Sequence, residues 1–376
     1  MGVEIIEVKS KKQLNRFIRF PQDLYKDDKN YVSELNLSVK WMLGKKNPFL
    51  QHSEIILFMA KLDTKIVGRI AAIYNQSHLN HHNDNTGFFG FYDSINNVDV
   101  ARTLFKSASG WLKNKGLVKM LGPTNLTTND SCGFLLDGFE YPAYVQMPYN
   151  YQYYNDLCVK CGFQNAMDLY AYAFDGKVVV EKYKNIYNRA LLKMKENGIS
   201  IRPVSSNFFE EDIAKFRVVY NKTNENNWGF IPFNETEVLA MAKQLREVTP
   251  LDFALLVVKE NEVIGYILAA PDINQALIHI RNGKLFPLGF LKFLWFKRKI
   301  NRARVMILGV LNEYSKLGID LVLYHKITAQ LKKHGIYGGE ASYVMESNVM
   351  INVLKKIGGQ QYKKYRMYSK DIIDAF

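Results

Sequence analysis

One order of elements runs twice along this chain. In the first half, apolar alternation predicts strands over Glu54–Leu62 and Lys65–Asn75, joined by the tight turn Asp63-Thr64. A third strand over Thr86–Asp93 follows, then an amphipathic helix over Val98–Lys115 closed by Gly116, then a strand over Leu117–Gly122. In the second half, Asp252–Glu260 and Val263–Pro271 form the equivalent hairpin around Glu260-Asn261. A strand over Arg304–Val310, a helix to about His334 and a strand–helix–strand ending come after it. The two ends echo each other: CVKCGFQNAMDLYAYAF and VLKKIGGQQYKKYRMYS each show a helix end, a glycine, a short spacer and an aromatic strand. The period is far longer than the roughly 20–50 residues of stacked repeats. It therefore implies two domains of one topology. The expected fold is α+β: domains over 1–176 and 198–376, each a mixed, mostly antiparallel sheet flanked by helices, with a helical connector over 177–197.

Composition agrees with two packed domains, since 376 residues exceed what one core organises and 48% are hydrophobic. Fifty Lys and Arg against 36 Asp and Glu leave a net charge of +14, which favours polyanionic partners: nucleic acid, an acidic membrane surface or a phosphorylated small molecule. The basic residues are spread along the chain apart from Lys297–Arg304, so nucleic acid is not the favoured partner. Three cysteines, Cys132, Cys158 and Cys161, cannot build a disulfide framework. The N-terminus has no signal-peptide core, and no run approaches the roughly 18 apolar residues that span a bilayer. A cytoplasmic location is expected.

The chemistry concentrates in Arg304–Tyr368. There a strand feeds a turn containing Gly318 and then a helix N-terminus, an arrangement that aims free backbone N–H groups and the helix dipole at an anion. The element order, together with Leu308–Asp320 and Glu340–Gly359, resembles the GNAT acyltransferase superfamily. GRIAAIYN, GFFGFYD, GPTNLTTNDSCGFLLDGF and NWGFIP look like a bacterial group of tandem two-domain members.

The resemblance implies two GNAT-like domains, with acetyl-CoA or another acyl-CoA as co-substrate and a small-molecule or peptide amine as acceptor. Leu308, Gly309 and Val310 would offer backbone groups to the pantetheine arm. Ser315, Lys316, Leu317, Gly318, Ile319 and Asp320 would form the pyrophosphate loop, and Asn348 would reach the cofactor from the start of the next helix. Ser315 departs from the family's Arg or Gln, and Asp320 from its Gly or Ala. Lys355 falls where many members carry a tyrosine that protonates the departing thiolate. In the first half no such loop follows TGFFGFYD, so that half is expected to serve as scaffold or as a substrate wall. The resemblance also admits a Fem-like transferase using aminoacyl-tRNA, or a pair that binds an acyl ligand or partner without turnover.

Direct acyl transfer needs a base for the amine proton. Glu340 and Glu346 are the candidates, sharing one strand face with Ser342 and Val344; solvated or paired carboxylates are the bland alternative. The polar loop Thr124–Gly133 offers Asn125, Asn129 and Asp130 to a substrate, although Asn and Asp also simply favour turns. His78, His81 and His82 lie in a polar stretch read as a loop, and no metal site is expected. LFPLGFLKFLWF followed by KRKINRAR is too short to span a membrane. Packing as a core helix is the favoured reading of Leu285–Arg304, with peripheral contact to an anionic membrane as the alternative.

Overall fold

The computed structural model describes residues 2–175, 184–345, 351, 354, 355 and 358–372. They form two compact units that are not continuous stretches of chain. The first comprises Met1–Leu169, Asn274–Arg298 and Lys363–Phe376; the second comprises Tyr170–Ile273 and Lys299–Tyr362.

The first unit begins with β1 (Glu4–Glu7), α1 (Lys11–Leu24) and α2 (Asn36–Met42). Ser10 and Gln13 start α1 with a capping box, each side chain accepting the other's backbone N–H. The hairpin β2 (Glu54–Leu62) and β3 (Lys65–Tyr74) follows, then α3 (Gln76–His82), β4 (Thr86–Ser94), α4 (Val98–Asn114) and β5 (Lys119–Gly122). The strands β1 to β4 pair antiparallel in chain order. Between β4 and β5 the pairing is parallel, and α4 is the crossover such a pair requires. Leu104, Phe105, Ala108 and Leu112 bury the apolar stripe of α4 completely. The short strands β6 (Thr124–Asn125), β7 (Ser131–Cys132) and β8 (Phe134–Asp137) and helix α5 (Tyr153–Lys160) come next.

Strand β9 (Gln164–Asp175) leads to α6 (Lys184–Glu196), β10 (Ile199–Pro203), α7 (Phe209–Asn224) and α8 (Glu235–Arg246). The hairpin β11 (Ala254–Lys259) and β12 (Glu262–Pro271) precedes α9 (Asn274–Leu277) and α10 (Leu288–Lys297). The chain ends with β13 (Arg302–Val310), α11 (Ile319–Lys333), β14 (Gly338–Met345) and β15 (Gln360–Asp371). In the second unit β10 to β13 pair antiparallel and β13 pairs parallel with β14, across the crossover helix α11. Helices α6 and α11 cover one face, packing on Leu255, Val257, Ile267 and Val305. Helices α7 and α8 cover the other, on Leu256 and Tyr266, as strand alternation requires.

Three segments differ from the sequence reading. The histidine stretch is helical, started by Asn75, whose side chain accepts the His78 N–H. In the first unit, Tyr368–Asp371 of the last strand pair antiparallel with β5. Lastly, α10 is not a core helix: Leu288 is 69% exposed, Leu291 64% and Trp295 62%.

Candidate active site

The second unit has an opening in its sheet. The parallel ladder joins Arg302–Val305 to Gly338–Ala341 and, among the described residues, goes no further. At the same height the β12–β13 register slips: Leu268 faces Ile307 while Ala269 faces Val305, so Met306 is an extra residue. A β-bulge bends its strand and re-aims backbone groups. Leu308, Gly309 and Val310 therefore run on past the end of the ladder, in the part of β13 where pantetheine is expected. Among the described residues no side chain bonds to the backbone of Met306–Val310.

Glu340 sits one pair below that opening, opposite Arg304, and is fully buried. Its two oxygens accept from the hydroxyls of Ser342, at 2.6 Å, and Tyr362. The Ser342 hydroxyl in turn accepts from Nε of buried Arg304 at 3.0 Å. The network needs both kinds of partner, because an isolated buried carboxylate costs several kcal/mol. Glu340 and Ser342 were brought together by strand alternation, as expected. Arg304 and Tyr362 were missed, although an arginine in the otherwise apolar run RVMILGV was a signal. Glu346 and Asn348 lie outside the described residues.

Beyond β13 the chain forms a 3-10 turn over Asn312–Leu317 and then enters α11 through Gly318. Gly318 has φ 71°, the left-handed conformation glycine adopts at no steric cost, and a Cβ there would stand 3.2 Å from that of Ala190. Leu317 and Ile319 point into the core, whereas Ser315 and Lys316 are exposed. The Ser315 hydroxyl donates to the Asn312 carbonyl at 2.7 Å, closing its own turn. Asp320 occupies the first turn of α11, where a carboxylate is favoured by the helix dipole but competes with an external anion. Lys355 is exposed.

On the α7–α8 face lies a cavity, partly open to solvent, whose exposed lining is almost wholly apolar. Ile213, Phe216, Met241, Leu245, Tyr266 and Ile307 line it, and Ile307 adjoins the Met306 bulge. Thr249 also lines it, and its hydroxyl is buried without a hydrogen-bond partner. No sequence signal marked this cavity.

The first unit has the same device, filled from within. Its parallel ladder ends at Phe88–Leu121, and β4 carries an extra residue where Phe91 adopts φ 46°. Here Asn125 accepts the Phe91 N–H at 2.8 Å, and the Thr124 carbonyl lies so close to Gly90 that a Cβ would sit 1.7 Å away. The Asp130 carboxylate accepts from Thr127 N–H and hydroxyl and from Leu126 N–H, fixing its own loop. The Asn129 N–H donates to the Thr127 hydroxyl at 3.1 Å. Behind β4, Asp93 forms a buried ion pair with Arg69 at 2.8 Å and accepts from the hydroxyls of Tyr25 and Tyr154 at 3.2 Å. Burial pushes the Asp93 carboxyl up from its ordinary value against the pull of Arg69.

Among the described residues no three His, Cys, Asp or Glu side chains converge as a metal site. His78 pairs with Asp84 at 3.0 Å, and burial lowers its ring to about 4. Cys158 and Cys161 are buried, and burial pushes both thiols up, Cys161 to about 11. No described helix is long and apolar enough to cross a membrane.

A bulged strand, a parallel ladder that ends early and a crossover helix entered through a glycine turn, present in both halves or in one, define a tandem GNAT fold. Solved structures agree across the whole chain. A tandem GNAT protein from the clavulanic acid biosynthesis pathway superposes with TM-score 0.57 at 8% identity, covering 99% of each chain. A GCN5-related N-acetyltransferase from Sphaerobacter thermophilus gives 0.53 at 11% identity, covering 98% of this chain and 96% of that one. No protein-family model matches. The chain belongs to the family of Protein YghO of Escherichia coli (strain K12), to which it is 33% identical over 373 residues, covering 96% of this chain and 94% of that one. It is 29% identical over 377 residues to the bacterial ceramide synthase of Caulobacter vibrioides (strain NA1000 / CB15N), covering 98% and 97%.

Proposed function

We propose that this protein transfers an acyl group from acyl-CoA to the amine of a long-chain acceptor, at the opening between β13 and β14. The observation that carries this reading is the coincidence of the Met306 bulge with the end of the parallel ladder, above buried Glu340. The amine nitrogen attacks the thioester carbon, the C–N bond forms, and the C–S bond breaks as the thiolate leaves. The proton lost by nitrogen moves through the Tyr362 or Ser342 hydroxyl toward Glu340, and the thiolate takes one from water. Backbone groups beyond Met306 hold the pantetheine, and Lys316 with the α11 N-terminus meets the pyrophosphate.

The acceptor class rests on two independent supports. A relative over nearly the full length carries the name of a ceramide synthase, and a ceramide is the amide of a long-chain amino alcohol. The α7–α8 cavity is apolar and adjoins the bulged strand through Ile307. It lies on the face opposite α11, so an alkyl chain entering there approaches the thioester from the side away from the pyrophosphate.

Two measurements test the parts separately. In calorimetry, the wild type is expected to bind long-chain acyl-CoA, and Lys316→Glu, an exposed change, to weaken binding about 10- to 150-fold, since a charge-assisted hydrogen bond contributes about 1.5–3 kcal/mol. Absence of any CoA binding would sink the reading and leave a GNAT pair without turnover. In turnover assays, Met241→Trp is expected to shift preference toward shorter amines, by about fourfold per excluded CH₂ at roughly 0.8 kcal/mol each. If the acyl-length profile moves and the amine profile does not, the cavity holds the other reactant's chain.

A further inference from the structure

We infer that α10 is a docking surface for an anionic lipid bilayer, an interaction independent of the proposed activity. The observation behind it is a contradiction. Among the described helices of at least eight residues Leu288–Lys297 is the most apolar in sequence, yet it turns much of its apolar surface outward. Leu288 is 69% exposed, Leu291 64% and Trp295 62%, all within the ten-residue helix, and Phe286, just before it, is 63% exposed. Scattered exposed leucines need no explanation, but a contiguous apolar patch of this kind marks an interaction surface.

The segment that carries the helix is nevertheless tied to the first unit. Gly289 is buried, and a Cβ there would stand 2.1 Å from the Lys284 carbonyl oxygen, so the helix start packs on the turn that precedes it. The His279 and Phe296 rings stack at 3.6 Å. Just upstream, the Asn36 N–H donates to the Gly283 carbonyl at 2.9 Å, and Arg281 donates to the Lys26 carbonyl at 3.0 Å. The fold therefore spends these contacts on presenting the outer side chains.

Charge selects the occupant. From Ile273 to Asn312 the sequence contains no Asp or Glu, whereas Lys284, Lys292, Lys297 and Arg298 are exposed around the apolar patch. A second copy of the same surface would set these cations against one another, with no acidic residue in Ile273–Asn312 itself to pair them, which disfavours self-association. An anionic bilayer meets both requirements at once: phosphates for the lysines, and an interfacial region that accommodates Trp and Phe. Ten residues rise about 15 Å, half of a hydrocarbon core of about 30 Å, so the helix lies in the interface and does not cross it.

The test is flotation of the full chain with vesicles of phosphatidylcholine containing 30% phosphatidylglycerol, and with phosphatidylcholine alone. Wild type is expected to float with the anionic vesicles, less so at high salt, and weakly with neutral ones. Leu288→Asp combined with Leu291→Asp should lower binding at least tenfold while leaving the thermal transition in place, because both side chains are exposed. Lys292→Gln, Lys297→Gln and Arg298→Gln should each lower it roughly fivefold, from about 1 kcal/mol per basic residue at the surface. The inference is overturned if wild type fails to float with anionic vesicles, or if the double aspartate variant floats as well as wild type. It is also overturned if wild type is a dimer that the double variant converts to a monomer without vesicle binding. None of these outcomes depends on CoA binding or turnover.

Discussion

Glu340→Gln is expected to lower kcat/KM about 10²–10⁴-fold, the range that general base catalysis supplies, while leaving acyl-CoA affinity within about twofold. The amide keeps the size of the side chain and one acceptor for the Ser342 or Tyr362 hydroxyl, but it cannot take up a proton. Because Glu340 has no exposure of its own, the proposed base would work through one of those hydroxyls. Tyr362→Phe and Ser342→Ala then separate the routes: the hydroxyl that relays the proton should cost much of the same factor in kcat, and the other little. A merely structural Glu340 would behave differently. In that case Glu340→Gln would shift the thermal transition and leave kcat nearly unchanged in the protein that remains folded. Retention of wild-type kcat/KM by Glu340→Gln removes the residue from the mechanism.

Arg69→Met should produce the largest stability change. It strands the Asp93 carboxylate inside the first unit with only tyrosine hydroxyls for company. Removing one partner of a buried pair costs about 3–5 kcal/mol, or roughly 10 °C for a unit of this size at about 2–4 °C per kcal/mol. Arg69 also donates to the Phe17 carbonyl and lies 4.9 Å from the Phe17 ring, so part of the loss is packing. The double change Arg69→Met with Asp93→Leu is expected to recover much of the deficit, because no unpaired charge remains. A calorimetric scan that finds the single and double variants equally destabilised would assign the effect to packing alone.

The elements that could be read from sequence were those written locally. The hairpin turns at Asp63-Thr64 and Glu260-Asn261 stand in the structure, with Asp63, Glu260 and Asn261 at positive φ. The spacing that buries Leu104, Phe105, Ala108 and Leu112 announced α4. Gly318 was legible because its left-handed φ is a property of one residue, and Glu340 with Ser342 because strand alternation reaches two residues. Arg304 and Tyr362 could not be paired with them in advance: hydrogen-bond partners 38 and 22 residues apart are brought together only by the tertiary fold. The α7–α8 cavity has no sequence signature either, since a space depends on how helices and strands fail to fill it.

The duplicated α+β order, the hairpins, the crossover helices and the glycine turn were written in the chain, because each follows from periodicity or from one residue's backbone preference. Long-range packing placed Asn274–Arg298 and the last strand from Lys363 with the first unit. It also decided which bulge is left open. In the first unit the Asn125 side chain accepts the N–H of the bulged strand and the Thr124 carbonyl closes on Gly90. Among the described residues no side chain hydrogen-bonds to the Met306–Val310 backbone, although the Tyr266 and Thr223 hydroxyls close on Gly309. Two copies of one topology diverge there because a donor freed by a bulge must find an acceptor, and only the folded loop determines whether the protein supplies it.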